Sequence, residues 1–237
     1  TVAFAATSSP AKVDVKSATA KSLTYNAKSQ TTTIVVNGKT LTLNKDFKVV
    51  SGSLKATKAG TYTVKIKGIG NYSGDTTVKY TVNAQQSYKA TAAAKTYNAK
   101  NQTTKVTVKY GNTVLKRGTD YKITGVTKAK NAGKYKITVK GINNYKGTKT
   151  IYYTINKAAQ KSVKVKVNAS KKKITVSGVK AKAKVTYKSA NKKVKVKNGK
   201  ITVGKGVKKG TKVRITVKVA ATKNYKAYSK SIIYKVK

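Results

Sequence analysis

The sequence predicts an all-β protein made of tandem antiparallel β-sandwiches. Three observations lead to this fold class: apolar and cationic residues alternate with a period of two, Asn and Gly turn signals separate the alternating segments, and a long stretch of sequence occurs twice. No segment indicates a convincing helix. Short strands joined by closely spaced turns are typical of two sheets packed face to face.

The period-two alternation predicts strands with one apolar and one cationic face. It is found in residues 62–67, 135–140, 163–167, 194–197 and 213–218. The turn signals are Asn37-Gly38, Gly111-Asn112 and Asn198-Gly199. Because Asn-Gly pairs favour two-residue hairpin turns, we expect neighbouring strands to pair antiparallel.

The duplication covers most of the first two thirds of the chain. Tyr25-Asn26-Ala27-Lys28 recurs as Tyr97-Asn98-Ala99-Lys100, and residues 59–72 recur with few changes as residues 132–145. Asp46-Phe47 likewise recurs as Asp120-Tyr121. Such self-similarity indicates repeated structural units.

The last third departs from the repeat but keeps its ending, a β-rich segment followed by Asn224-Tyr225. We therefore predict an N-terminal tail at residues 1–11, repeats at 12–84 and 85–157, and a related third domain at 158–237. The joins near Ala84 and Lys157 contain no proline or glycine linker, so we expect the domains to abut as a monomeric, semi-rigid rod.

Composition excludes most catalytic chemistry. The 237 residues contain 52 lysines and two arginines against four aspartates, with no Cys, His, Met, Trp or Glu, and the net charge is +50. Thiolate, imidazole and triad chemistry are therefore absent, as are the usual zinc, copper and haem ligands. We expect no catalytic residue, no cofactor and no metal site, and hence no enzyme.

The repeated residues resemble a known family. The Tyr-Asn-Ala-Lys, Asp-Phe/Tyr, Ala-Gly-x-Tyr and Gly-Ile-x-Asn-Tyr elements are similar to the Tyr-Asx-Gly-Lys repeat domains of large bacterial surface proteins across residues 12–157. Residues 158–237 resemble a group 2 bacterial immunoglobulin-like domain of the invasin and intimin kind, through residues 185–191, Asn198-Gly199-Lys200-Ile201 and Gly210-Thr211. The resemblance implies immunoglobulin-like sandwiches in a secreted or wall-associated bacterial protein that acts as a stalk or adhesin. Ala27 and Ala99 stand where that family often has Gly.

Two aspartates occupy equivalent positions in the repeats, Asp46 and Asp120. Surface sandwiches of Gram-positive bacteria sometimes carry a Lys-Asn isopeptide bond catalysed by a buried acid, and these are the only repeated candidates. A turn aspartate that accepts backbone N–H bonds before a strand explains them better. The 16 tyrosines are interpreted as packing residues, so none is assigned as a ligand contact.

The charge is the one feature that points to a binding function. Lysines on outer strands prevent edge-to-edge aggregation, but that role does not explain the missing Glu, and a +50 surface repels itself. We therefore expect diffuse binding of polyanions: anionic glycans, teichoic acids, and nucleic acid nonspecifically in vitro. The candidate binding residues are Lys65, Lys67, Lys136, Lys140, Lys164, Lys166, Lys195, Lys197, Arg214 and Lys218.

Two other functions are compatible with the sequence. The chain could be a purely structural spacer that projects another domain, or a nonspecific nucleic-acid-binding protein; with only two arginines, base-specific recognition is disfavoured. The opening residues 1–6 read like the end of a signal peptide, with an A-x-A pattern at residues 3–5, and so favour secretion or attachment to the cell wall. No apolar run is long enough for membrane insertion.

Overall fold

The computed structural model describes all 237 residues and confirms the all-β fold class. The chain forms 27 short or medium strands and no α-helix. Its helical residues are confined to two three-residue 3₁₀ turns, Val15–Ser17 and Lys180–Lys182. The alternating pattern therefore folded into strands, as expected of residues that bury one face of a sheet.

The strands of the first predicted repeat are β1 (Val13–Asp14), β2 (Thr19–Ala20), β3 (Leu23–Thr24), β4 (Gln30–Thr31), β5 (Ile34–Val36), β6 (Lys39–Thr40), β7 (Phe47–Gly52), β8 (Lys55–Ala56), β9 (Gly60–Gly68), β10 (Tyr72–Ser73) and β11 (Asp75–Asn83). Those of the second are β12 (Lys89–Ala92), β13 (Lys95–Thr96), β14 (Gln102–Thr103), β15 (Val106–Tyr110), β16 (Thr113–Val114), β17 (Tyr121–Gly125), β18 (Lys128–Ala129), β19 (Gly133–Gly141) and β20 (Thr148–Asn156). The last third contains β21 (Lys164–Asn168), β22 (Lys173–Ser177), β23 (Val185–Ser189), β24 (Val194–Lys197), β25 (Lys200–Val203), β26 (Lys212–Val219) and β27 (Tyr228–Lys235).

The first repeat is a β-sandwich. A four-stranded sheet in the order β3-β11-β9-β7 provides one layer, and the sheet β2-β5-β6 belongs to the other. Between them lies a core that includes Ile34, Val36, Phe47, Val64 and Ile66. The inward residues of β9 alternate with exposed ones, because successive side chains of a strand point to opposite faces of the sheet.

The second repeat reproduces the pairings of the first. Leu23 of β3 pairs in parallel with Val82 of β11, and Lys95 of β13 pairs in parallel with Ile155 of β20. The antiparallel pair β4–β8 corresponds to β14–β18, and the hairpin β5–β6 corresponds to β15–β16. The sequence duplication is therefore a duplication of strand pairing.

The last third forms its own sandwich. One sheet runs in the order β21-β22-β25-β24 and the other in the order β23-β26-β27. Their inner faces enclose Ile174, Val194, Ile201, Ile215 and Tyr234, all of them buried. The prediction of tandem β-sandwiches is thus confirmed.

The turn signals form the predicted hairpins. Asn37-Gly38 and Asn198-Gly199 have positive φ at both residues, and each connects two adjacent antiparallel strands. Gly111-Asn112 joins β15 to β16 with positive φ at the glycine. Mirror-image turns of this kind match the twist of the strands they connect.

Two alanines adopt a conformation that normally favours glycine. Ala27 has a φ of 65° and Ala99 a φ of 66°. In each repeat the preceding asparagine side chain accepts a hydrogen bond from the backbone N–H two residues on, from Lys28 at 2.9 Å and from Lys100 at 3.0 Å. Glycine adopts this left-handed conformation without the steric cost that alanine bears.

The chain divides into two compact units. One comprises residues 1–90, 107–124 and 138–150, and the other comprises residues 91–106, 125–137 and 151–237. The residues of the second repeat are shared between these units. Domain boundaries near Ala84 and Lys157 therefore stay a prediction.

Candidate functional site

The densest group of predicted binding residues lies on the outer face of the sheet β21-β22-β25-β24. Lys164 and Lys166 of β21 pair with Ser177 and Thr175 of β22, and Lys195 of β24 pairs with Thr202 of β25. Directly paired residues project from the same face of a sheet. Six exposed lysines share this surface, which we call the lysine face: Lys164, Lys166, Lys173, Lys195, Lys197 and Lys200.

Three members of the lysine face lie directly beside one another. Lys200 of β25 pairs with Lys173 of β22 on one side and with Lys197 of β24 on the other. Paired positions bring Cβ atoms to within about 5 Å, and like charges directly opposite each other destabilise a sheet. This row of three lysines therefore repels itself unless an anion lies over it.

Acidic residues are absent from this part of the chain. Residues 158–237 contain 26 lysines and arginines, and the last acid in the sequence is Asp120. The three lysines of the row are exposed, and residues 158–237 contain no Asp or Glu side chain to neutralise them. Arg214 and Lys218 are also exposed, but they lie on β26 in the other sheet, beside Ile233 and between Thr186 and Ser229 respectively.

The lysines of the first repeat have a more balanced environment. Lys65 and Lys67 of β9 are exposed, as the alternation predicts. Lys67 pairs with Asp75 of β11 on one side and with Lys48 of β7 on the other, whereas Lys65 pairs with Thr77 and Ser51. The acid beside Lys67 makes this face a weaker anion-binding candidate than the lysine face.

Sequence reasoning located the exposed cations but not their grouping. All ten predicted binding residues are exposed, including Lys136 and Lys140 of β19. Four of the ten lie on the lysine face, and two members of that face, Lys173 and Lys200, were not predicted. The Asn198-Gly199 turn predicts that Lys200 begins a strand opposite Lys197. The position of Lys200 beside Lys173, however, depends on a long-range strand pairing.

Most tyrosine rings are buried or half-buried, as predicted. Those of Tyr72 and Tyr145 are buried. Tyr80 donates to Ser53 O at 3.0 Å, and Tyr153 donates to Gln102 O at 3.2 Å. The ring of Tyr145 meets those of Tyr25, Tyr88 and Tyr110 edge to face.

Burial raises the pKa of several tyrosines. For Tyr145, desolvation is the largest cause, and the neighbouring Tyr25 adds to it, so its pKa lies well above the ordinary value. Desolvation also raises the pKa of Tyr80, Tyr88, Tyr153 and Tyr187. These hydroxyls stay protonated at neutral pH and therefore do not act as bases there.

Asp46 and Asp120 are turn residues. Asp46 Oδ2 accepts a hydrogen bond from the backbone N–H of Thr42, and Asp120 Oδ2 accepts one from that of Lys116, both at 2.8 Å. Each aspartate directly precedes a strand. The interpretation of both as turn acceptors is confirmed.

The first unit contains a junction between the first and second repeats. The backbone N–H of Ala59 donates to Asn144 Oδ1 at 2.9 Å, and the rings of Tyr25 and Tyr145 meet edge to face with centroids 5.5 Å apart. Gln85 Nε2 donates to Tyr25 O at 2.9 Å. These contacts join residues on both sides of the join at Ala84.

The second unit repeats this junction between the second repeat and the third domain. The backbone N–H of Ala132 donates to Asn224 Oδ1 at 2.8 Å, and the rings of Tyr97 and Tyr225 meet edge to face at 5.5 Å. In addition, Asn224 Nδ2 donates to Asn131 Oδ1 at 3.1 Å. Two junctions thus use the same residue types at equivalent positions.

No three His, Cys, Asp or Glu side chains lie close enough together to hold a metal ion. None of the helical segments has the length and apolar character that a membrane span requires.

Comparison with known proteins gives remote structural similarity only. No protein-family model matches the chain, and no curated protein matches its sequence. The human desmocollin-1 ectodomain is 10% identical with a TM-score of 0.24, over 92% of this chain and 60% of that one. The protocadherin γB4 extracellular domain is 8% identical with a TM-score of 0.25, over 93% and 50% of the two chains. Sidekick-1 immunoglobulin domains 1–5 are 12% identical with a TM-score of 0.25, over 92% and 57%.

The chain therefore spans half to three fifths of the length of these three proteins. The description of the fold as tandem β-sandwiches rests on the strand pairing of the chain itself.

Proposed function

We propose that this chain is a non-enzymatic stalk or adhesin segment of a bacterial surface protein, and that it binds polyanions through lysine-rich sheet faces. The observation that carries the proposal is the row formed by Lys173, Lys200 and Lys197 in a domain without a single acid. If the protein were selected only for solubility, carboxylates could lie opposite these lysines, and the fold would then be more stable.

The chemistry of the lysine face favours multivalent anions over small ligands. Lysine ammonium groups are hydrated point charges that neutralise phosphate, sulfate or carboxylate without requiring a fixed geometry. Six lysines on one strand-paired surface match a polymer that presents anions at regular intervals. Sulfated or carboxylated glycans and wall teichoic acids are the proposed ligands, and a secreted or wall-attached location would give access to both.

The two junctions support the stalk part of the proposal. Each combines an Asn-to-backbone hydrogen bond with an aromatic pair, and so restrains adjacent domains more than a flexible linker would. The same contacts favour the second candidate, a purely structural spacer. Any strongly anionic polymer would retain both a spacer and a receptor. The two are therefore distinguished by their selectivity among polyanions and not by retention.

The test replaces the row and compares it with an equal loss of charge elsewhere in the same domain. One variant carries Lys173→Gln, Lys197→Gln and Lys200→Gln. The control carries Lys205→Gln, Lys208→Gln and Lys209→Gln, which are exposed residues outside the strands. Affinity for heparin, purified teichoic acid and duplex DNA is measured for both at the same salt concentration.

The proposal predicts that the row variant loses more affinity for heparin or teichoic acid than the control does. Equal losses would show that binding follows total charge and not the lysine face. The spacer interpretation predicts that both variants lose the same affinity for each of the three polymers, by an amount that polymer charge density alone sets. It would replace the proposal if such equal losses were observed.

A further inference from the structure

The turn that receives each junction contact occurs three times in the chain. The backbone N–H of Gln85 donates to Asn144 O, and that of Ala158 donates to Asn224 O, both at 2.9 Å. In the first repeat, the backbone N–H of Val13 donates in the same way to Asn71 O at 3.0 Å. Asn71 therefore occupies in the first repeat the position that Asn144 and Asn224 occupy at the junctions.

The side chains of these three asparagines have different environments. Those of Asn144 and Asn224 are half-buried, and each accepts a hydrogen bond from the alanine of an Ala-Gly turn in the preceding repeat. The side chain of Asn71 is exposed, and Val13 beside it is exposed as well. Tyr72 is buried within its own repeat, and its strand β10 pairs in parallel with β1, where Tyr72 lies opposite Val13.

We propose that the turn of Asn71 and Tyr72, together with Val13, is a docking surface for the end of another Tyr-Asn-Ala-Lys repeat. The partner would supply the backbone N–H of an Ala-Gly turn to Asn71 Oδ1, as Ala59 does for Asn144. It would also place a tyrosine equivalent to Tyr25 against the exposed side chain of Val13. This surface is independent of the lysine face and of the proposed polyanion binding.

A repeat domain is a better occupant than a second copy of the whole chain. In this chain, the two tyrosines that could dock in this way are already engaged, because Tyr25 contacts Tyr145 and Tyr97 contacts Tyr225. The third domain does not contain the Tyr-Asn-Ala-Lys sequence. The chemistry required is that of a further repeat with a free Tyr and Ala-Gly end.

The test uses an extended chain in which residues 1–84 are followed by residues 13–237, so that the first repeat occurs twice. Val13 then follows Ala84 at the position that Gln85 occupies in the natural junction. Fusion gives the docking surface a high effective concentration of its partner. The readout is the hydrogen-exchange rate of the Ala59 amide in the upstream copy, measured by NMR.

The proposal predicts that Asn71→Ala in the downstream copy accelerates exchange of the upstream Ala59 amide about threefold to tenfold, as expected for loss of one hydrogen bond. Asn144→Ala in the natural chain, which removes the established acceptor of the Ala59 amide, provides the benchmark. Asn71→Ala in the natural chain is the control for folding, and its melting temperature should equal that of the parent.

One result would overturn the proposal. If the upstream Ala59 amide exchanges at the same rate with and without Asn71, while Asn144→Ala accelerates Ala59 in the natural chain, the two repeats do not dock through this surface. Because no polyanion is present in the experiment, its outcome is separate from that of the proposed binding function.

Discussion

A matched pair of tyrosine substitutions tests how the polar groups of the cores are satisfied. Tyr88 is 1% exposed; its hydroxyl donates to Gly147 O at 2.7 Å and accepts a hydrogen bond from the backbone N–H of Gly141 at 3.0 Å. Tyr234 is 0% exposed, and its hydroxyl has no hydrogen-bond partner. The two residues have the same burial and opposite hydrogen-bonding states.

Replacement by phenylalanine should therefore change stability in opposite directions. Tyr88→Phe removes the two hydrogen bonds of a buried hydroxyl, while the N–H of Gly141 still donates to Gly147 O at 2.9 Å, so it costs about 1 to 2 kcal/mol in the free energy of unfolding. Tyr234→Phe removes a buried, unpaired hydroxyl and should leave stability unchanged or raise it by about 1 kcal/mol. The difference between the variants is about 2 kcal/mol.

Guanidinium chloride denaturation followed by circular dichroism measures both variants, and the salt screens lysine repulsion equally in each. Equal losses of stability in the two variants would refute the reasoning, because the cost would then come from altered ring packing. A loss confined to Tyr234→Phe would show that its hydroxyl has a partner that the assigned contacts do not include.

The remaining predictions concern strain, repulsion and pH. Ala27→Gly and Ala99→Gly should each raise the free energy of unfolding by about 0.5 to 1 kcal/mol, because glycine relieves the left-handed strain at a smaller entropic cost; unchanged denaturation midpoints would contradict this. The melting temperature in calorimetry should rise between 0.01 and 0.15 M salt, as the Debye length falls from about 30 to about 8 Å and lysine repulsion is screened; a flat or falling curve would contradict it. In high salt, stability should fall as the pH rises above about 10, since the unfolded chain then releases tyrosine protons that the raised pKa of Tyr145 retains in the folded state. Tyr145→Phe should make that fall shallower in pH-dependent denaturation, and an unchanged slope would show that this hydroxyl ionises equally in both states.

The strands and turns were predictable because they depend on local chemistry. The strand around Ile66 can bury only one of its faces, because Lys65 and Lys67 lie on the other. An Asn-Gly pair such as Asn198-Gly199 favours positive φ at both residues and therefore a hairpin turn. The duplicated sequence then implied duplicated pairing. None of these inferences requires knowledge of distant contacts.

The grouping of the lysines could not be predicted in the same way. The alternation places Lys173 and Lys200 on exposed faces, but 26 residues separate them, and their pairing is set by how the two hydrophobic strands fit in the core. A shift of one residue would bring different side chains together. Register over such a distance is a property of the packed domain.

The junctions were missed for a related reason. Asn144-Tyr145 and Asn224-Tyr225 look like internal turn residues in the sequence, and their backbone groups do serve that role. The side chain of each Asn, however, binds an alanine amide more than 80 residues away along the chain. A repeated residue pair could have suggested a repeated contact, but not its partner.

The salt dependence of polyanion binding tests the central claim most directly. For duplex DNA, releasing counterions from each neutralised phosphate gives a log-log slope near −0.9 per contact, so engagement of the six lysines of the lysine face implies a slope of about −5. The account predicts about a thousandfold loss of affinity between 50 and 200 mM salt, the same for unrelated DNA sequences, and a similarly steep dependence for heparin and teichoic acid. A slope shallower than about −2, or an affinity that one lysine substitution abolishes, would contradict binding through an extended lysine face and indicate a compact, specific pocket instead.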